Sequence, residues 1–155
     1  MKSSAAETQI DGFVAKYSPA IQQQLHEART RLRAMFPRGF ELVFDNYNAL
    51  VFGISPTDRT ADAFVSIAGY PKWVTLFFLN GKGLDDPQGL LVGEGKQVRS
   101  IRLAASGDLD QPSIRALIDA AAAVHEASFA TAPALSTIVR TMVAKQRRRR
   151  PASQA

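Results

Sequence analysis

The chain contains no cysteine. Disulfides, zinc thiolate sites, iron–sulfur clusters and cysteine nucleophiles are therefore excluded. It has two histidines, His26 and His125, far apart in sequence. Each reads as a helix-flank or core residue, because a two-histidine metal site also needs carboxylates held nearby. No long apolar run is present. The longest, Trp73 to Leu79, is far too short to cross a bilayer. Residues 1–12 lack the apolar stretch of a secretory signal. These absences lead us to expect a cytoplasmic chain with no membrane partner, no metal and no cofactor.

An excess of acid is also lacking, and the basic excess is local. Of the 19 Lys and Arg residues, five lie at 145–150 (Lys145, Arg147, Arg148, Arg149 and Arg150), and none of the 14 Asp and Glu residues does. Residues 1–144 are thus formally neutral, and the last segment carries the net charge of +5. That segment reads as a solvated tail that aids solubility, with weak nucleic-acid binding through its phosphate contacts as the alternative function; the body is not expected to supply such binding. No aromatic residue interrupts the arginine run, so base stacking is not expected from this stretch alone.

The 155 residues make one domain the expectation. Ile10, Phe13, Val14 and Tyr17 recur at helical spacing and predict a helix over 8–17. Ser18-Pro19 then reads as a cap and first helical residue. The stripe Ile21, Leu25, Ala28, Leu32 and Met35 continues that second helix to about Phe36. From Phe40 the period changes. Runs at 40–44, 49–54, 63–68 and 73–79 are rich in Val, Ile and Phe and are separated by turn residues, which predicts an antiparallel meander. Trp73 to Leu79 is apolar on both faces and is placed centrally. A glycine-rich connection over 80–96 leads to a fifth strand at 97–103, and Asp110 is expected to cap a helix over 111–129. At 137–143 Leu135, Ile138, Val139 and Met142 fit a helical stripe, but five of the seven positions are β-branched, which favours a strand. Residues 145–155 are expected to form a disordered basic tail.

No nucleophile elbow, Walker loop or dinucleotide fingerprint occurs. Gly93-Glu94-Gly95 precedes a strand, whereas phosphate-cradling loops precede helices. Asp85-Asp86, Asp58 with Asp62, and Asp45 with Tyr47 read as turn and strand-end residues, not acid–base pairs.

Three stretches together resemble a known family: TQIDGFVAKYSP at 8–19, YPKWVTLFF at 70–78, and GKGLDDPQGLLVGEGKQVRSIRL at 81–103. They are similar to the YdhG-like family, domain of unknown function 1801, over most of residues 8–128. The ending Lys145-Gln146-Arg147 is also similar to the family. The resemblance implies a small α+β domain of frataxin-like character, with no assigned activity for most members and an iron-chaperone role for one branch. That role calls for a carboxylate-rich surface. The first helices offer Glu7, Asp11 and Glu27 beside Arg29, Arg31 and Arg33.

The expected architecture is α+β: an antiparallel sheet of five or six strands, two N-terminal helices and one later helix. If the helices cover one face only, a homodimer would hide the other. The expected function is a non-enzymatic binding or accessory domain recognising a small anion through Lys82, Lys96, Arg99 and Arg102. Alternation puts Arg99 and Arg102 on opposite faces of their strand. A covered arginine there needs either an acid of the same loop (Asp85, Asp86 or Glu94) or a bound anion.

Overall fold

The computed structural model describes residues 5–151. Helices α1 (Ala5–Val14) and α2 (Pro19–Met35) come first, with Pro19 in the first turn of α2, where a missing N–H costs nothing. Strands β1 (Phe40–Asp45), β2 (Leu50–Ser55), β3 (Val65–Gly69) and β4 (Val74–Phe78) form an antiparallel meander, and β5 (Arg99–Leu103) adds to β4 after the long connection. Helices α3 (Pro112–Ala123) and α4 (Glu126–Ala130) then carry the chain across the whole sheet to β6 (Ser136–Met142), which pairs with β1. The strand order is β5-β4-β3-β2-β1-β6.

The fold is the expected α+β arrangement, with one pairing that a meander does not supply. Because β6 returns after crossing the sheet, it runs parallel to β1, so the sheet is mixed. The β-branched stretch is a strand: Ile138 and Val139 pair with Leu42 and Val43. The expected single late helix is two. The break at Val124-His125 turns the ring of His125 onto Phe64 (4.8 Å) and that of Phe129 onto Phe36 (5.7 Å). Asp110 does not cap it; its carboxylate pairs with Arg31.

One face of the sheet meets the helices. Register aligns Val43, Phe52, Ile67, Leu76 and Ile101 across five strands, and Ile10, Ile21, Leu25, Leu32, Leu117 and Ile118 pack on them. β4 lies between β3 and β5. Its Val74, Leu76 and Phe78 are buried in this core, Thr75 is buried on the opposite face, and Phe77 there is half-buried.

The same inner face carries two carboxylates on β1, Glu41 (1% exposed) and Asp45 (2%). A buried carboxylate must be paired and hydrogen-bonded. Arg29 grips Glu41 with two bonds, and Arg33 and Thr137 add one each. Arg29 also holds Glu7 bidentately and keeps its carboxyl below the usual range. Asp45 is met by Lys16 at 2.7 Å, by Gln146 at 2.8 Å and by Arg149 at 3.2 Å.

The last pairing corrects the expectation of a disordered tail for the described part of it, residues 145–151. Arg149 is 5% exposed. It donates to the Tyr17 hydroxyl (2.8 Å) and to the Asn46 carbonyl (2.6 Å). Composition could not reveal this, because the segment's partner is an acid more than a hundred residues away. Residues 152–155 lie outside the described residues.

Truncation after Ala144 removes Arg149 and Gln146 from Asp45 while leaving Lys16. We expect a loss of about 2–3 kcal/mol in denaturant unfolding, somewhat under the usual penalty for breaking a buried ion pair. A loss below about 0.5 kcal/mol, the range of an ordinary surface change, would contradict the docking.

Candidate functional site

The hairpin joining β3 and β4 is closed by the Tyr70 amide donating to the Trp73 carbonyl, with Pro71-Lys72 at its tip. Proline presets the backbone for such a turn, and the tip presents Lys72 and Trp73 side by side. In the neighbouring strand Arg102 pairs with Thr75, on the face away from the helices. It is thus a diagonal neighbour of Trp73, within reach of a long side chain. Its guanidinium carbon lies 3.7 Å from the centre of the indole ring. Tyr70 stands 6.2 Å from Trp73, its phenol raised above the ordinary value by burial.

The C-terminal segment completes the site. Residues 147–150 send alternate side chains to different neighbours. Arg147 lies over the Tyr47 ring (5.6 Å), its amide donating to the Tyr47 carbonyl, and Arg149 lies over Tyr17 (5.4 Å). Arg148 and Arg150, with Pro71, Lys72, Trp73 and Pro151, line a groove of about 460 Å³. Arg150 also donates to the carbonyls of Ala15 and Lys16, just past the end of α1, where helix carbonyls lack partners and the dipole favours a cation.

Tyr17 fixes the segment to the sheet. Its hydroxyl donates to Gly69 (2.7 Å) and accepts from the Leu50 amide (3.0 Å), a register pair at the ends of β3 and β2, and from Arg149. Burial raises the Tyr17 phenol above its ordinary value and Arg149 pulls the other way. Asp45 Oδ1 and Arg149 Nε have no hydrogen-bond partner among the described residues. Their pairing is Coulombic contact more than directed hydrogen bonding.

The nine residues singled out from sequence do not form the two expected groups. Lys82 is exposed on a 3₁₀ turn and Lys96 is exposed in the loop. Arg99 is half-buried on the helix-side face, opposite to Arg102. It is satisfied by the carbonyls of Gly95 (2.8 Å) and Val98 (2.7 Å), not by Asp85, Asp86 or Glu94. Asp86 instead accepts from the amides of Leu90 and Leu91, shaping its own turn. Of the first group only Arg102 touches a residue of the groove's lining, through its stack on Trp73. Of the second, Arg148 and Arg150 line the groove, Arg147 and Arg149 anchor the segment, and Lys145 is exposed.

Lys72 and Trp73 are the residues the sequence reading missed as site members. Trp73 reads there as core, and only the pairing of β4 with β5 shows that Arg102 lies on it. Among the described residues no group of three or more His, Asp or Glu side chains is placed to hold a metal ion. Compared with family models, with curated proteins and with solved structures, the chain matches none.

Two glycines of the loop, Gly81 and Gly93, serve close packing around Arg99. A Cβ on Gly81 would lie 2.5 Å from Arg99 Cβ, whereas one on Gly83 meets nothing within 4 Å. Gly93 (φ 141°) also lies against Arg99. Gly81→Ala should therefore destabilise by about 1–3 kcal/mol, as overpacking does, while Gly83→Ala stays within about 0.5 kcal/mol of wild type. Chemical denaturation of both checks this; equal effects would contradict the packing role.

Proposed function

We propose that this protein is a non-enzymatic binding domain for phosphate-bearing anions and that the groove at Trp73 holds them. One observation carries the reading. Lys72, Arg148 and Arg150 line one groove with Trp73 while Arg102 stacks on its indole, so cations from three separate parts of the chain meet there, and among the described residues none of the four pairs with a carboxylate. By contrast Glu41 and Asp45, the buried acids, take up Arg29, Arg33, Lys16 and Arg149. Cations left without acids around a concave surface attract and orient anions, and arginine suits the planar, bidentate geometry of phosphate.

The glycine-rich loop is set aside as the binding element, because Arg99 is already satisfied by backbone carbonyls. Membership of the YdhG-like family is proposed with this reading, on the three stretches quoted above, and cytoplasmic residence as what that resemblance implies. They add no activity to it.

Inorganic tripolyphosphate at about 0.15 M ionic strength, where the Debye length is only about 8 Å, tests the proposal by calorimetry. Wild type should bind. The double variant Lys72→Glu/Arg148→Glu, both exposed positions, should bind at least about tenfold more weakly, some 1.4 kcal/mol. Lys82→Glu/Lys96→Glu should bind within about twofold of wild type, since neither residue lines the groove and screening weakens charges that are not in contact. Loss confined to the loop variant would move the site to the loop. Absence of wild-type binding would end the proposal.

A further inference from the structure

We infer that the groove accommodates single-stranded nucleic acid, with a base laid on the Trp73–Arg102 stack and phosphates met by Lys72, Arg148 and Arg150. This rests on the anion reading above and names the anion's class.

The stack is the first ground. At 3.7 Å from the ring centre the Arg102 guanidinium lies directly over the indole, and Arg102 is exposed. A guanidinium held this way extends the π surface, and bases stack on both aromatic rings and arginine planes. A small inorganic anion has no use for such a platform. A second π face lies along the same segment, where Arg147 covers Tyr47, itself 43% exposed.

The second ground is the form of the cation array. Arg148 and Arg150 alternate with the anchored Arg149, so the cations lie along an ordered backbone. An electropositive track beside aromatic faces is how proteins hold single strands. In a duplex the bases are stacked on each other and closed to the platform, so an unpaired strand is the form that fits.

The lining itself predicts the specificity. Pro71, Lys72, Trp73, Arg148, Arg150 and Pro151 include no carboxylate or carboxamide. Asn, Gln, Asp and Glu are the side chains that read adenine and cytosine edges. Adenine and cytosine edges should therefore go unread, with binding driven by stacking and charge.

Trp73 is the sole tryptophan, so its emission reports the site directly. The probes are a ten-residue oligothymidylate, an abasic oligomer of the same length, the matching duplex and inorganic tripolyphosphate, each titrated against the full chain. Oligothymidylate should quench Trp73 and bind with a log–log salt slope of about −2.1, that is −0.7 for each of the three cations that meet phosphates. The abasic oligomer should bind roughly tenfold more weakly without quenching, the usual effect of one lost stacking contact. Trp73→Ala should weaken oligothymidylate by a similar factor and leave tripolyphosphate unchanged, while Trp73→Phe retains most of the affinity. The abasic comparison needs no variant and stands even where Trp73→Ala misfolds. Equal affinity for the abasic and thymidylate oligomers would overturn the base contact, and so would tighter binding of the duplex. Tripolyphosphate binding would in either case leave the anion reading intact. Failure of every probe would overturn both.

Discussion

Asp45 ends β1 on the helix side of the sheet, out of reach of water, and Arg149 comes back from the far end of the chain to meet it. Much else follows from that meeting. A carboxylate in such a place demands a cation, and Lys16, the only other one there among the described residues, is partly in solvent. Arg149 therefore enters between Asp45, the Tyr17 hydroxyl and the Asn46 carbonyl. The pair is more a positioning device than a source of stability, since burying two charges consumes much of what their attraction returns. It determines where the segment lies and which way its side chains point.

With Arg149 turned inward, its neighbours Arg148 and Arg150 are left at the groove, and Arg150 settles on the carbonyls beyond α1. Trp73 and Lys72 reach the same place because Pro71 tightens the β3–β4 turn. Arg102 reaches the Trp73 ring because β5 pairs with β4 in the register that sets Arg102 against Thr75. The groove is thus the joint product of a hairpin, an edge strand and a docked terminus. A body without net formal charge acquires an electropositive face only because its terminus is held against it.

The periodicities at 8–17 and 19–36, the four short runs of the meander and the fifth strand were all legible in the sequence, since each is a local pattern. The strand at 137–143 was legible through β-branching, but its parallel partner was not, because nothing local says which edge a crossing chain will join. The break at Val124-His125 was hidden as well, since it answers to Phe36 and Phe64 in other elements. At the candidate site, the sequence marks Arg102, Arg148 and Arg150 only as members of larger charged groups. Arg99 and Arg102 were expected on opposite faces and are, yet the covered one is satisfied by carbonyls of its own loop. The tail arginines were weighed as one uniform charge, whereas Arg147 and Arg149 are anchors and Arg148 and Arg150 face the groove. Only tertiary contact separates them.

The central claim is that residues 147–150 are held by Arg149 and are not a free polycation. Backbone ¹⁵N relaxation of the intact protein measures this most directly. Docking predicts order parameters at 147–150 near those of the strands, about 0.85, falling below about 0.6 in Arg149→Met. Values below about 0.6 in the wild-type protein would contradict the claim, and with it the account of how the groove is built.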